Sequence, residues 1–169
     1  MFQRILVPID GSPLALRSAK TAIKLAKSWH AEIVAVFVAA PFERYFHASS
    51  VSPISQSSKE ELTEYERSHA QQAIAVVDAI AKEQGVTFFS ALVFNKVPAR
   101  AILQARLSFN ADLIVMGSHG YRGIKKLILG STAQEVLAQS EVPVLIYRDS
   151  ASEPARPLMD WEADEIETP

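Results

Sequence analysis

The chain has 169 residues and a mass of 18.6 kDa, enough for one domain with a tail, and its 49% apolar content can bury a sizeable core. It contains no cysteine, which excludes a disulfide framework, a thiolate nucleophile and any cysteine metal site. The net charge is −2, but five acids and no base lie between Pro157 and Pro169; taking those five from the nineteen acids leaves fourteen against seventeen bases, a body of about +3 and too mild for a nucleic-acid partner.

His30, His47, His69 and His119 show no HxxxH or HxH spacing, so no histidine-built metal site is expected. No apolar run approaches the roughly 18 to 20 residues that span a bilayer. Met1-Phe2-Gln3-Arg4 leads straight into Ile5-Leu6-Val7 without the pattern of a signal peptide. A soluble, cytoplasmic protein with no membrane insertion is therefore expected.

Arg4 to Ile9 reads as a first strand. Ser12-Pro13 then supplies an N-cap with proline at the first helical position, and Leu16, Ala19, Ile23 and Ala26 follow at helical spacing up to about Trp29. Glu32 to Val38 is nearly all apolar, as suits a strand covered on both faces. Residues 40–58 are rich in serine and proline without a period and read as a loop. A long helix follows, with Ser57 and Glu60, or Ser58 and Glu61, as a capping box. Its stripe is Leu62, Tyr65, His69, Ala73, Val76 and Ile80, ending near Gly85, and His69 is read there as a buried or interfacial packing residue.

Val86 to Phe94 is a third strand. Pro98 opens a helix carrying Ala101, Ile102 and Ala105, and Asp112 to Met116 is a fourth strand. A glycine-rich segment separates it from a helix over about Ser131 to Gln139, and Val142 to Ile146 is the last strand. Alternation of this kind gives right-handed crossovers and a parallel sheet with helices on both faces. Ligands of such sheets sit at the carboxyl ends of the strands, where the strand order reverses. Asp10 and Gly117 both lie just past strand ends. The residues after Arg148 are rich in proline, serine and acids, and are expected to be disordered.

Four of the six glycines, Gly117, Gly120, Gly123 and Gly130, crowd into one fourteen-residue window. Three of them set a frame G-x2-G-x9-G-[S/T] between a strand and a helix. Phosphate oxygens need converging N–H donors with no side chain in the way, and glycines allow that approach. Gly130-Ser131-Thr132 adds hydroxyls at a helix amino terminus, where the macrodipole favours negative charge. Neither G-x-x-x-x-G-K-[S/T] nor a G-x-G-x-x-G after the first strand is present. Plainer alternatives stand beside these. Ser131 with Gln134 also fits a capping box, and Gly117 with Gly120 also fits a tight turn. Asp10 could cap the following turn instead of facing ribose hydroxyls. His119 is either a solvent-facing loop residue or a ligand contact, and Lys125 and Lys126 are either a solvated face or a phosphate clamp.

Pro8-Ile9-Asp10-Gly11-Ser12, Asp112 to Gly120, Leu129-Gly130-Ser131 and Pro143-Val144-Leu145-Ile146 together resemble the universal stress protein family, over about residues 1–148. The glycine frame with its flanks is similar to the ATP-binding branch in particular. The resemblance implies a Rossmann-like open parallel five-stranded sheet of order 3-2-1-4-5 with helices on both faces. It also implies a homodimer paired through the last strand, and an ATP held at the ends of strands one and four, with Mg²⁺ on its phosphates. Gly117, Ser118, His119, Gly120, Gly130, Ser131 and Thr132 match the segment that holds ribose and phosphates. Asp10, beyond Pro8 at the same strand end, matches the acid against the nucleoside; Val38 matches the position whose backbone meets adenine, and Met116 falls beside the ribose. Contact of Arg122 and Lys125 with phosphate is a further possibility in the variable stretch. The family says nothing of the acidic tail.

The expectation is a nucleotide-binding domain over residues 1–148, acting as an ATP-dependent regulatory or signalling dimer in stress response, with an unnamed regulatory protein partner. Efficient hydrolysis is not expected, because the sequence supplies no Walker lysine, no paired metal acids and no evident base for water; slow hydrolysis or self-phosphorylation stays open. No catalytic residue is assigned. The rivals are a dimeric scaffold without nucleotide and an adenylating enzyme of related architecture. The latter is disfavoured because Asp10-Gly11-Ser12-Pro13 stands where a Ser-Gly-Gly-type loop would be needed.

Overall fold

The computed structural model describes residues 1–40, 56–119 and 129–148. Among these, the elements run β1 (Arg4–Ile9), α1 (Pro13–Trp29), β2 (Glu32–Ala39), α2 (Gln56–Glu83), β3 (Phe88–Phe94), α3 (Pro98–Ser108), β4 (Leu113–Gly117), α4 (Ser131–Gln139) and β5 (Val144–Tyr147). All strands are parallel, in the order β3-β2-β1-β4-β5. Order and layering agree with the expectation from sequence.

The side-chain period of two divides the sheet residues between two cores. Ile5, Val7, Ile9, Ile33, Ala35 and Phe37 face α1 and α2, whose Ala19, Ala22, Ile23, Ala70, Val77 and Ala81 complete one cluster. Leu6, Val34, Val36, Ile114 and Met116 face α3 and α4 and pack on Ala99, Ile102, Ala105, Ala133 and Val136. Strands covered on both faces have no solvent side, which is why β2 reads as a continuous apolar run.

Local signals act where they should on α1. The Ser12 hydroxyl accepts from the Ala15 amide at 3.1 Å, Pro13 fills the first turn, and His30 closes the helix in the left-handed region. Several expectations need correction. The helix α2 already begins at Gln56, so Ser57 and Ser58 lie inside it, and neither is the non-helical residue that a capping box requires. The buried face of α2 is Ala70, Val77 and Ala81, with His69, Ala73, Ile74 and Ile80 half-buried; Tyr65 and Val76 are 66% and 48% exposed. Apolar residues occur on two sides of this helix, and their spacing alone cannot say which side meets the sheet. The strand β3 starts at Phe88 because the Val86 amide still bonds back to the Ala81 carbonyl. The last strand is Val144–Tyr147, one residue beyond Ile146 and without Val142. Most of the expected loop, residues 41–55, and all of the expected tail from 149 lie outside the described residues.

The rotated face of α2 has a measurable consequence. Val77→Ala removes two buried methyl groups and should cost about 2 kcal/mol, whereas Val76→Ala should stay within about 0.5 kcal/mol. Equal losses in chemical denaturation would restore the stripe read from spacing.

Candidate functional site

The chain winds from β1 outward through β2 and β3, then returns to place β4 and β5 on the other side of β1. The order reverses between β1 and β4, and a ligand crevice belongs at their carboxyl ends. Backbone parity shows what happens there. The Gln3 carbonyl accepts from Glu32 on β2, and the Arg4 carbonyl accepts from Asp112 at the foot of β4. Odd residues of β1 therefore bond towards β2, and even residues towards β4. Pro8 is even, and it has no N–H. The register between β1 and β4 accordingly ends at Leu6 and Ile114, while β1 and β2 stay paired to Ile9 and Phe37.

The same parity puts Pro8, Val38 and Met116 on one side of the sheet. Met116 lies in the α3–α4 core, Val38 packs against it half-buried, and Pro8 follows Leu6 on that face. The helix α4 covers this face, and its amino terminus points to the same end of the sheet. Gly130 is its N-cap, and no side chain caps the helix. Ser131 is thus the first helical residue, exposed, and not the cap of the alternative capping box; Gln134 instead donates through its side chain to the Leu129 carbonyl at 2.7 Å. The first amides of α4 belong to the unpaired set of any helix start and present positive potential. Thr132 is half-buried beside them.

Asp10 follows β1 as expected and does also serve its own turn. Its Oδ1 accepts from the Ser12 amide at 3.0 Å, and Gly11 between them has φ +79, which an L side chain resists. Asp10 remains half-buried at the strand end.

Gly117, Ser118 and His119 form a junction. The Ser118 amide donates to the Tyr147 carbonyl of β5, and the Ser118 carbonyl accepts from the Gly130 amide, each at 2.8 Å. The Ser118 hydroxyl is buried and pairs with His119 Nδ1 at 3.1 Å. Ser118 thus ties the end of β4 both to β5 and to the start of α4. The described glycines of the frame sit in tight packing before any ligand is considered. A Cβ on Gly130 would lie 3.2 Å from the His119 Cα and 3.3 Å from the Ser118 carbonyl oxygen. On Gly117 it would lie 3.2 Å from the Leu14 Cγ of α1. Leu14 and Tyr147 are contributors that sequence reasoning did not single out; Leu14 is visible only as an apolar residue in the first turn of α1. Gly120, Gly123, Arg122, Lys125 and Lys126 lie outside the described residues. Among the described residues no group of three or more His, Cys, Asp or Glu side chains could hold a metal ion, and no helix is long and apolar enough to cross a membrane.

An open cleft of about 590 Å³ lies at the opposite end of the sheet, lined by Phe2, Arg4, Trp29, His30, Glu32 and Asp112 among others. Its charges are spent internally. Arg4 pairs with Glu32 and donates to the Phe109 carbonyl at 2.6 Å, and the Asp112 carboxylate accepts from the Gln3 and Arg4 amides at 2.8 and 2.9 Å. The cleft closes the foot of the sheet and does not continue into the switch point.

The sequence profile of the universal stress protein family matches residues 1–148. The chain belongs to the universal stress protein family. A member from Methanocaldococcus jannaschii is 34% identical over 155 residues, covering 90% of this chain and 86% of that protein. Another, from Thermus aquaticus, is 35% identical over 148 residues, 88% of this chain and all of the relative. The fold recurs in the universal stress protein UspA from Lactobacillus plantarum, with a TM-score of 0.73 at 23% identity over 86% of this chain and 97% of that one. Two further structures of the fold are complexes. One is a universal stress protein with cAMP (TM-score 0.65, 24% identity, 88% and 99% covered). The other, from Archaeoglobus fulgidus, is with dAMP (TM-score 0.62, 18% identity, 86% and 98% covered).

The role of Pro8 can be read directly. In a Pro8→Ala variant the new amide should donate to the Val115 carbonyl and extend the ladder between β1 and β4. Amide exchange at residue 8 should then be slow, like that of its neighbours in the strand. Fast exchange there would mean that something other than the missing N–H ends the ladder.

Proposed function

We propose that this protein binds ATP at the switch point between β1 and β4, and acts as a nucleotide-dependent regulatory or signalling dimer in the stress response. The observation that carries the proposal is the convergence of strand ends and helix start at one end of one sheet face. Pro8, Val38 and Met116 supply an apolar floor, Asp10 a carboxylate, and α4 an uncapped amino terminus. These are the three recognition chemistries that a nucleotide asks for. An aromatic base rests on apolar side chains, ribose hydroxyls donate to a carboxylate, and phosphates accept from helix-start amides.

In this account the backbone near Val38 receives adenine, Asp10 and Met116 lie along the ribose, and Gly117 to Gly120 with Gly130, Ser131 and Thr132 enclose the phosphates. Two proteins of the same fold carry cAMP and dAMP, both adenine nucleotides, which supports the base class. Mg²⁺ would neutralise phosphate charge. Its ligands would be chiefly phosphate oxygens and water, in keeping with the absence of a carboxylate cluster among the described residues. Binding is all that the account requires; turnover is not part of it.

The dimer would form along β5, which among the described residues is an edge strand paired only with β4, and whose four residues are all half-buried. Because Ser118 bonds to Tyr147 on β5 and to Gly130 at the start of α4, a nucleotide at α4 has a short covalent and hydrogen-bonded route to that edge. A cytoplasmic location, a domain ending near residue 148 and an acidic tail beyond it belong to the same proposal.

The test is to identify any nucleotide that co-purifies and to follow melting with added ATP. At a hundred times its Kd, ATP should stabilise by about 2.7 kcal/mol, raising Tm by roughly 5 to 10 °C for a domain of this size. Asp10→Asn should weaken ATP about tenfold while leaving the fold intact. Absence of both a bound adenine nucleotide and an ATP-dependent shift in melting would overturn the proposal.

A further inference from the structure

We infer that His69, on α2, is a positioning residue that holds the Asp10–Gly11–Ser12 turn from behind, and so sets the carboxylate that the ribose would meet. The turn has two sides. Its front is the α3–α4 face, where Pro8, Val38 and Met116 lie. Its back is the α1–α2 face, and there the His69 imidazole rests on the Gly11 backbone. A Cβ on Gly11 would lie 2.7 Å from His69 Nε2 and 3.2 Å from Cε1, and Gly11 adopts φ +79. The ring and the turn therefore fill one another's space, and the turn cannot relax backwards while the ring is in place.

The imidazole is itself fixed. It meets the ring of Phe37 edge-on with centroids 5.5 Å apart, and it stacks on Tyr65 at 6.4 Å. Phe37 is 4% exposed and pairs with Ile9, the residue before Asp10. His69 is thus clamped to the carboxyl end of the strand pair whose loop it supports. On the front of the turn, the Ser12 amide bonds to the Asp10 carboxylate at 3.0 Å, so a shift of Gly11 would move that bond and the carboxylate together. A histidine serving only to fill the core would be expected among Ala70, Val77 and Ala81 on the buried face; His69 is half-buried at the rim, against backbone.

The ligand arm of this inference rests on the nucleotide proposal, and the backbone arm does not. In the ligand-free protein, His69→Ala should speed amide exchange at Ser12 by at least tenfold relative to wild type. His69→Gln, which returns an amide group near the place of Nε2, should restore most of the protection. In binding experiments, His69→Ala should weaken ATP about five- to tenfold and leave inorganic tripolyphosphate within about twofold, because only the ribose end rests on Asp10. The effects of His69→Ala and Asp10→Asn on ATP should fall well short of additive. Unchanged exchange at Ser12 would overturn the inference. So would an equal loss for ATP and tripolyphosphate, or full additivity with Asp10→Asn. If wild type binds no adenine nucleotide, the nucleotide proposal fails, and exchange at Ser12 still decides the role of His69.

Discussion

A proline in a central strand removes one hydrogen bond, and here it falls at the boundary between β1 and β4, where the proposed ligand site lies. Parity along β1 points the nitrogen of Pro8 at β4, across the very boundary where the chain reverses its direction of winding. The ladder there ends at Leu6, two residues before the proline, while the ladder to β2 continues to Ile9. Proline is ordinarily kept to strand edges and bulges. A doubly wound sheet has one internal boundary at which its cost is lowest, because the crevice between the two halves is to stay open to a ligand. Strand ends, turn and helix start are all arranged around that boundary.

Close packing then fixes the rim. Gly130 lets the start of α4 touch the backbone of Ser118 and His119, and Gly117 lets α1 seat Leu14 against the end of β4. Ser118 joins these pieces by two backbone hydrogen bonds, one to Tyr147 of β5 and one from Gly130 at the start of α4. A rim built in this way places helix-start amides with little freedom, and that preorganisation lowers the entropy cost of binding an anion. The carboxylate on the other side of the boundary is held by its own turn and, from behind, by a ring on α2. Helices from both faces of the sheet therefore contribute to one end of it.

Much of this was legible in the residues. The alternation of apolar runs with helical spacing gave the layers, and Ser12-Pro13 marked the start of α1 through a side-chain cap that the structure contains. The glycine frame marked the junction between β4 and α4. What the frame meant was less accessible, because spacing shows that glycines recur and not which neighbours they pack against. The same limit applies to α2. Leu62, Tyr65 and Val76 suit a buried stripe by period, yet the face that meets the sheet is set by Ala70, Val77 and Ala81, and small residues give a weak signal. The serines before Glu60 and Glu61 suit a cap, but a helix that begins earlier makes them interior. His69 fell on the expected stripe as a packing residue; its contact with Gly11 depends on tertiary placement, since α1 and β2 lie between the two residues in the chain and no local pattern links them.

The central claim is that one end of one sheet face, around the boundary between β1 and β4, receives an adenine nucleotide. Titration of the isotopically labelled protein with ATP, followed by amide chemical shifts, tests it most directly. Saturable shifts are expected at Gly11, Ser12, Val38, Gly117, Ser118, Gly130, Ser131 and Thr132, with none around Trp29 and His30 at the foot of the sheet. Shifts confined to the foot, or none at millimolar ATP, would contradict the account.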